Sequence, residues 1–415
     1  HLDPEIHHGI AEMMIQEGFH VFTEDSIAHL GDVEKLRVVN QWMYHSRLYA
    51  AAKVVSHTPS LELVQLNSFG CGIDAVTCDQ VQEILNRHHR LYTVLKIDEG
   101  TNLGAVRIRL RSLKAAIDER EQKSMLDYSE VVVPDSIVFT KEMKKKHTIL
   151  LPMLSPIHQE GLLDQAFQAC GYNVVSLPTE NSQAIDVGLR FVNNDACYPA
   201  IISIGQLLEA LQSGEYDLNN TSVMLTQTGG GCRAANYIPL LRKALSDAGF
   251  AQIPVISLSM GNKGVESSPG FKLTIPLVKR IALAAMYGDL FERVVYRTRP
   301  YEKNQGEVNH WYEHYLEIAK EDVRKGSFSR FNHHMKQIIR SFDQIELLDM
   351  IKPRVGVVGE ILVKYSPIAN NNIVELLESE GAEAVVPDLI GFMNYSLYNQ
   401  VWRSKHLGQS KQAQY

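Results

Sequence analysis

The chain has 415 residues, 45% of them hydrophobic and 21% charged, which is the composition of a globular protein long enough for two or three domains. Its formal net charge of −7 offers no basic surface for nucleic acid, and no apolar run in the sequence approaches the roughly 18 residues of a membrane span. Five cysteines are too few for a secreted disulfide scaffold, so we expect a cytoplasmic protein with neither nucleic-acid nor membrane partners.

The first block, residues 1–120, is predicted to be an α/β domain. Its apolar stretch at 61–66 predicts a buried strand, and a loop that holds Cys71 between two glycines follows. The pattern then predicts a helix at 79–88, a strand at 92–96 and a closing helix at 103–120.

Residues 121–146 are polar and irregular and are predicted to form a linker. The second block, 147–350, has predicted strands at 148–151, 173–176, 223–226 and 255–258, with helices between them and a long helical stretch at 273–348. A third block, 351–415, opens with a strand at 355–359 and is expected to be truncated. Strands that alternate with helices predict an α/β fold of repeated Rossmann-like domains, whose parallel sheets are covered by helices on both faces.

An internal repeat relates the start of the chain to its third block. At a constant offset of 363 positions, seven residues recur: Pro4, Ile10, Glu12, Glu17, Gly18, Asp25 and Ile27 match Pro367, Ile373, Glu375, Glu380, Gly381, Asp388 and Ile390. Both copies predict a helix, a glycine stop, a short strand and an aspartate before another helix. Since nothing before His1 matches the strand at 355–359, we expect the first block to lack its opening strand. The alternative is a chance match between two generic α/β units.

Two cysteines stand where a loop is predicted to pass into a helix. Cys197 precedes Tyr198 and Pro199, and because proline suits the first turn, the helix at 200–211 should begin just after the thiol. Cys232 ends a glycine run that follows a predicted strand. The start of a helix offers unpaired N–H groups and the positive end of the dipole, which favour a thiolate. The pattern therefore indicates metal or redox chemistry.

Cys71 also follows a predicted strand, and the carboxyl ends of parallel strands are where such sheets bind ligands. Cys71, Cys197 and Cys232 are thus candidates for one site. Cys78 and Cys170 are expected to be packing thiols. Zinc sites usually show cysteines two to four residues apart, so lone cysteines on separate strand ends favour an iron–sulfur cluster.

The glycine run before Cys232 could leave room for a metal cluster or form a loop that binds an anion such as phosphate. Gly229, Gly230 and Gly231 leave room for a bulky cluster, but the run lacks the Gly-Lys-Ser/Thr ending of a phosphate-binding loop. Asn194 adds a polar group in the loop before Cys197. The glycine run is therefore only a weak indication of nucleotide binding.

The strings Asn-Asn-Asp-Ala-Cys-Tyr-Pro at 193–199 and Thr-Gly-Gly-Gly-Cys-Arg at 228–233, with the segment at 67–78, resemble the acyl-CoA dehydratase activase-related proteins of the 2-hydroxyacyl-CoA dehydratase superfamily. This resemblance implies a [4Fe-4S] or double-cubane cluster between two α/β domains. Cys197 and Cys232 match the cysteines of the first domain and Cys71 that of the second. It further implies an ATP-hydrolysing activator as partner, an acyl-CoA as candidate substrate, and a lyase or an ATP-dependent reductase component.

The order of the cysteines departs from the pattern of that family. Cys71 falls in the second domain of one unit, whereas Cys197 and Cys232 open the next, so we expect the chain alone to hold little cluster in air. Whether the three share one site is left open, as is a homodimer. Two other functions also stay open: an electron-transfer or scaffold module without a substrate, and a thiol-redox protein that uses Cys197 and Cys232.

Overall fold

The computed structural model describes residues 4–33, 36–67, 74–97, 103–122, 137–178, 182–228, 232–258 and 268–408. Within them the chain forms an α/β protein with three parallel sheets. The strands are β1 (Leu63–Asn67), β2 (Tyr92–Lys96), β3 (Thr148–Leu151), β4 (Asn173–Ser176), β5 (Thr221–Thr226), β6 (Val255–Leu258), β7 (Arg354–Gly356) and β8 (Glu383–Val385). The helices are α1 (Pro4–His7), α2 (Ile10–Gln16), α3 (Met43–His57), α4 (Asp74–Asn86), α5 (Leu103–Gln122), α6 (Met143–Lys146), α7 (Pro156–Gln159), α8 (Leu162–Gln168), α9 (Gln183–Phe191), α10 (Tyr198–Gln212), α11 (Tyr237–Asp247), α12 (Ile275–Thr298), α13 (Glu307–Lys325), α14 (Phe328–Asp343), α15 (Ile361–Tyr365), α16 (Pro367–Asn370), α17 (Ile373–Ser379) and α18 (Leu389–His406).

The first sheet pairs β1 with β2 in parallel, so that Asn67 and Lys96 end the two strands side by side. Helices cover both of its faces. Leu63 packs with residues of α3 and α4 in the largest hydrophobic cluster, while Leu95 packs with Leu110 of α5 and with α2 in another. The sheet is therefore covered on both sides, although Val64 and Leu66 of β1 and most of β2 stay half-buried.

The second sheet has the strand order β4-β3-β5-β6, with every neighbouring pair parallel. Leu150 and Val223 face α10 and α11, whereas Ile149 and Met224 face the side covered by α8 and α12. The strand order changes direction between β3 and β5. In open α/β sheets, the carboxyl ends at such a point form a crevice in which ligands bind.

The first and second blocks share one hydrophobic core. Val76 and Leu85 of α4 belong to the same buried cluster as Ile204 of α10 and Leu241 of α11. A polar contact crosses the same boundary, where the guanidinium Nη1 of Arg37 donates to the carbonyl of Pro239 at 2.7 Å. The two blocks are consequently held against each other by burial as well as by the chain that joins them.

The predicted helical stretch at 273–348 consists of α12, α13 and α14, which pack together and against α8. The third sheet follows and pairs β7 with β8 in parallel. Its helix α15 packs against α10 through Leu362 and Ile202. No helix in the described ranges combines the length and apolar character that a membrane crossing requires.

The repeat at an offset of 363 is visible in the backbone. Helices α1 and α2 have the same bounds, at that offset, as α16 and α17, and Gly18 (φ +91°) matches Gly381 (φ +83°). The predicted strand is right in the second copy only: β8 matches residues 20–22, which form no strand. The physical reason is pairing, since β8 is held by β7, while residues 20–22 have no strand partner within the described chain.

Candidate functional site

Cys197 is the N-cap residue of α10, with Pro199 in the first turn of the helix, as predicted. The residue follows α9 rather than a strand, which corrects the expectation that each cysteine comes directly after a strand. It reaches the carboxyl edge of the second sheet because α10 runs from that edge back to the start of β5. Its Sγ lies 3.0 Å from the Oη of Tyr237, the first residue of α11.

Tyr237 has a pKa raised by burial and then by the charge of Cys197. The phenol therefore stays protonated at neutral pH and can donate its hydrogen bond to a Cys197 thiolate. The charge of Cys232 adds to the same rise.

Cys232 is the exposed N-cap of a 3-10 helix, Arg233–Asn236, that follows β5. The guanidinium Nη1 of Arg233 donates to the carbonyl of Asp195 at 3.2 Å, which links this turn to the loop of Cys197. A second hydrogen bond holds the same turn: the side-chain oxygen of Asn236 accepts from the backbone N–H of Val39 at 2.8 Å. Cys197, Cys232 and Tyr237 together are called the cysteine site below.

The first sheet faces the loop of Cys197 with its carboxyl edge. Lys96, the last residue of β2, places its Nζ 2.8 Å from the Asp195 carboxylate. Asn193 donates to the carboxylate of Asp79 at 2.9 Å and to the carbonyl of Ala75 at 3.4 Å, both in α4. The carboxyl edges of two sheets consequently meet at this loop.

Four predicted site residues lie outside the described residues: Cys71, Gly229, Gly230 and Gly231. Asn194 is described and is exposed in the turn before Cys197. The described residues next to the segment 68–73 are Asn67, which ends β1, and Asp74, which begins α4.

The two remaining cysteines lie in packed surroundings. Cys78 is buried, burial raises its pKa, and its sulfur accepts from the side-chain amides of Gln65 at 3.2 Å and Asn67 at 3.5 Å. Cys170 is half-buried and packs on the hydrophobic cluster on the far face of the second sheet. Cys170 therefore packs as expected, but it is half-buried and not the fully buried thiol that was predicted.

Sequence reasoning missed a second group of side chains that could hold a metal ion, His158, Asp289 and Glu292, whose ligating atoms lie within 4.8 Å of one another. His158 is in α7, in the region that follows β3, and Asp289 and Glu292 lie three residues apart on one face of α12. That spacing of two acids in a largely buried helix was the one signal that could have identified them. The partner His158 comes from 131 residues away.

The imidazole of His158 is held at both nitrogens. Its Nε2 lies 2.8 Å from the Oδ1 of Asp289, and its Nδ1 lies 2.8 Å from the Oγ of Ser155. Burial pushes the pKa of Asp289 up, but hydrogen bonds from His158 and from the backbone N–H groups of Leu389 and Ile390 outweigh it and leave the pKa below its usual value.

Glu292 is 4% exposed, and its Oε2 has no hydrogen-bond partner among the described residues. Burial, followed by the charges of Asp289 and Asp388, raises its pKa to about 9. The side chain lines a cavity of about 310 Å³ between the helices α12 and α13 and the third block. Other walls of this cavity are formed by Arg299, Tyr312, Lys364, Tyr365 and Glu375.

Comparison of the chain with models of protein families, with curated proteins and with solved structures finds no match in any of the three. The two groups of side chains differ in their chemistry. The cysteine site carries the soft thiol ligands, and the second group carries imidazole and carboxylate.

Proposed function

We propose that Cys197 and Cys232, together with Cys71, hold an iron–sulfur cluster of the [4Fe-4S] or double-cubane type. The observation that carries the proposal is that two N-cap thiols lie on linked loops: Cys197 contacts Tyr237 at 3.0 Å, and Arg233, which follows Cys232, donates to the carbonyl of Asp195 in the loop of Cys197. Thiolate is the ligand that iron–sulfur clusters require, and helix starts favour thiolates.

The surroundings fit an anionic cluster. A phenol O–H that reaches a cysteine sulfur is the kind of hydrogen bond that tunes such clusters, and Tyr237 offers one. Arg233 brings a positive charge to the same loop, while the charge of Lys96 is paired with the Asp195 carboxylate. Two described thiols are too few for a cubane, so a third ligand is needed.

Cys71 is proposed as that third ligand. The described residues that support this choice are Asn67, which ends β1 beside Lys96, and Ala75, whose carbonyl accepts from Asn193 in the loop of Cys197. The segment 68–73 is therefore flanked by Ala75, which contacts the loop of Cys197, and by Asn67, whose strand partner Lys96 contacts the same loop. This favours one site shared by the three cysteines over two separate half-sites.

A cluster of this type supplies one-electron chemistry at low potential when it is bound. We propose that the protein takes part in ATP-driven electron transfer or in reductive chemistry like that of 2-hydroxyacyl-CoA dehydratases. An ATP-hydrolysing activator is the proposed partner, an acyl-CoA the candidate substrate, and the cytoplasm the proposed compartment. The three sheets are proposed to be repeated Rossmann-like units; the helices that match at the offset of 363 support this for the first and third blocks.

The test is anaerobic purification followed by iron and acid-labile sulfide analysis and electron paramagnetic resonance. We expect iron and sulfide in stoichiometric amounts, lost in Cys197→Ser, Cys232→Ser and Cys71→Ser. Cys170→Ser is the matched control, because that thiol packs on the far face of the sheet, and it should keep its iron. Iron content that is unchanged in Cys197→Ser and Cys232→Ser would contradict the proposal.

Three other outcomes separate the remaining interpretations. A protein without iron that forms a reversible disulfide between Cys197 and Cys232 is a thiol-redox protein. A cluster that survives in air and depends on all three cysteines shows that the chain alone holds the whole site. If the cluster is lost rapidly in air but is retained by a longer polypeptide, Cys71 belongs to one dehydratase-like unit, and Cys197 and Cys232 belong to the next.

A further inference from the structure

A second group of metal-ligating side chains lies beside the 310 Å³ cavity, and none of its residues belongs to the cysteine site. We propose that His158, Asp289 and Glu292 bind a divalent transition-metal ion. This site does not depend on the proposed iron–sulfur function, since it uses a different ligand set.

The positions of the donor atoms suit a common ion. The Nε2 of His158 and the Oδ1 of Asp289 lie 2.8 Å apart, and a ligand atom of Glu292 lies within 4.8 Å of both. Two ligands that are each about 2.1 Å from one ion are separated by about 3 Å, so the first pair needs little movement. Glu292 would close the remaining distance by a change of rotamer at the wall of the cavity.

Glu292 is the observation that points to a missing ligand. Its Oε2 is buried without a hydrogen-bond partner among the described residues, and a buried, unpaired carboxylate oxygen is costly. The charged neighbours of Glu292 include Asp289, Asp388 and Lys364, and Asp388 is itself paired with Arg293 at 2.5 Å. A cation would satisfy the free oxygen of Glu292, which none of these groups reaches.

His158 and Asp289 are held in the way that metal ligands usually are. A metal-binding histidine typically donates its other ring N–H to an oxygen, and the Nδ1 of His158 has the Oγ of Ser155 at 2.8 Å. The carboxylate of Asp289 accepts from the backbone N–H groups of Leu389 at 2.7 Å and Ile390 at 2.9 Å. These second contacts fix the orientation of both ligands before any ion arrives.

The ligand set also indicates the class of ion. One imidazole and two carboxylates suit Mn²⁺, Fe²⁺ or Zn²⁺, whereas thiolates prefer zinc and iron–sulfur clusters. Three protein ligands leave positions open, and the adjoining cavity has room for water or a small ligand there. Mn²⁺ is therefore the probe that distinguishes this group from the cysteine site.

The experiment titrates Mn²⁺ into the full chain after chelation, with electron paramagnetic resonance to count free and bound ion. We expect one bound Mn²⁺ per chain, with an affinity at least tenfold weaker in Glu292→Gln, which keeps the shape of the side chain. Glu313→Gln is the control, because Glu313 lines the same cavity without belonging to the ligand group, and it should bind like the wild type. The double variant Cys197→Ser/Cys232→Ser should also bind normally.

A spectroscopic readout identifies the histidine. Electron spin-echo measurements on bound Mn²⁺ should show coupling to an imidazole nitrogen, and His158→Gln should abolish it. The proposal is overturned if the wild type binds no Mn²⁺, if Glu292→Gln binds as tightly as the wild type, or if the nitrogen coupling persists in His158→Gln. Circular dichroism of each variant confirms that the fold is kept.

Discussion

Gly288 of α12 lies directly against His158: a Cβ on this glycine would come within 2.3 Å of the imidazole Cδ2 and 2.9 Å of the His158 Cα. Real Cβ atoms essentially never approach so closely. The glycine thus allows α12 to come near enough for the adjacent Asp289 to contact the Nε2 of His158.

Gly288→Ala should destabilise the fold by about 1–3 kcal/mol, because the added methyl overpacks a contact that includes the His158 backbone. Urea unfolding measures the loss, and Mn²⁺ affinity should fall with it. Gly391→Ala is the control: this helical glycine of α18 has only the Cβ of Asp388 at 3.6 Å, an ordinary contact. That variant should be neutral or slightly more stable through helix propensity.

Gly205→Ala should loosen the loop of Cys197. A Cβ at Gly205 of α10 would lie 1.9 Å from the carbonyl oxygen of Ala184 in α9, so the two helices would have to separate. We expect a loss of about 1–3 kcal/mol in the free energy of unfolding and faster alkylation of Cys197 by iodoacetamide, followed by mass spectrometry. An unchanged alkylation rate in a destabilised protein would show that the helix pair does not hold the loop.

Glu292→Gln should stabilise the metal-free protein, and more so as the pH rises. The pKa of Glu292 is about 9 in the folded chain and near 4.5 when unfolded, so the wild type loses stability as the pH rises through that window. The amide does not titrate and escapes this loss. We expect Glu292→Gln to raise the free energy of unfolding by at least about 1 kcal/mol at pH 8 and by almost nothing at pH 4.5, measured by urea unfolding. A gain independent of pH would contradict the assigned environment.

Asp322→Asn should be strongly destabilising at neutral pH. The fully buried carboxylate accepts from Tyr287 at 2.7 Å and from Arg330 and His334 at 2.5 Å each. Burial pushes its pKa up, but these hydrogen bonds outweigh it and hold the pKa below its usual value. Removal of this charge should lower the free energy of unfolding by about 3–5 kcal/mol at pH 7, measured by urea unfolding.

The cost of Asp322→Asn should shrink only as the pH falls below about 4, where the carboxylate of the unfolded chain takes up a proton, and it should be lost once the pH passes the lower pKa of the folded chain. Asp118→Asn is the comparison, because Asp118 is exposed and pairs only loosely with Lys114 at 3.7 Å. Asp118→Asn should change the free energy of unfolding by less than about 0.5 kcal/mol. Equal losses in the two variants would show that the Asp322 contacts add little to stability.

The sequence was informative wherever structure depends on local pattern. The strands at 92–96, 148–151, 173–176 and 255–258 have the predicted bounds, because short apolar runs between polar or glycine-rich turns can hardly form anything else in an α/β chain. The N-cap position of Cys197 follows from Pro199, which fixes the first turn of α10.

Features that depend on tertiary contacts were not predictable. The pairing of Lys96 with Asp195 joins residues 99 positions apart, and that of His158 with Asp289 spans 131 positions. No local propensity encodes either. The strand expected at residues 20–22 failed for a similar reason, because an edge of sheet forms only when a neighbouring strand supplies hydrogen bonds.

The common core of the first two blocks has a consequence for how the protein comes apart. Val76 and Leu85 lie in one buried cluster with Ile204 and Leu241, so separation would expose apolar surface on both sides. A protein cleaved once between residues 122 and 137 should therefore migrate as a single particle in gel filtration, and its two pieces, made separately, should reassemble. The blocks would then melt in one cooperative step, and the surfaces that meet at Cys197 would be re-created without a covalent connection between them.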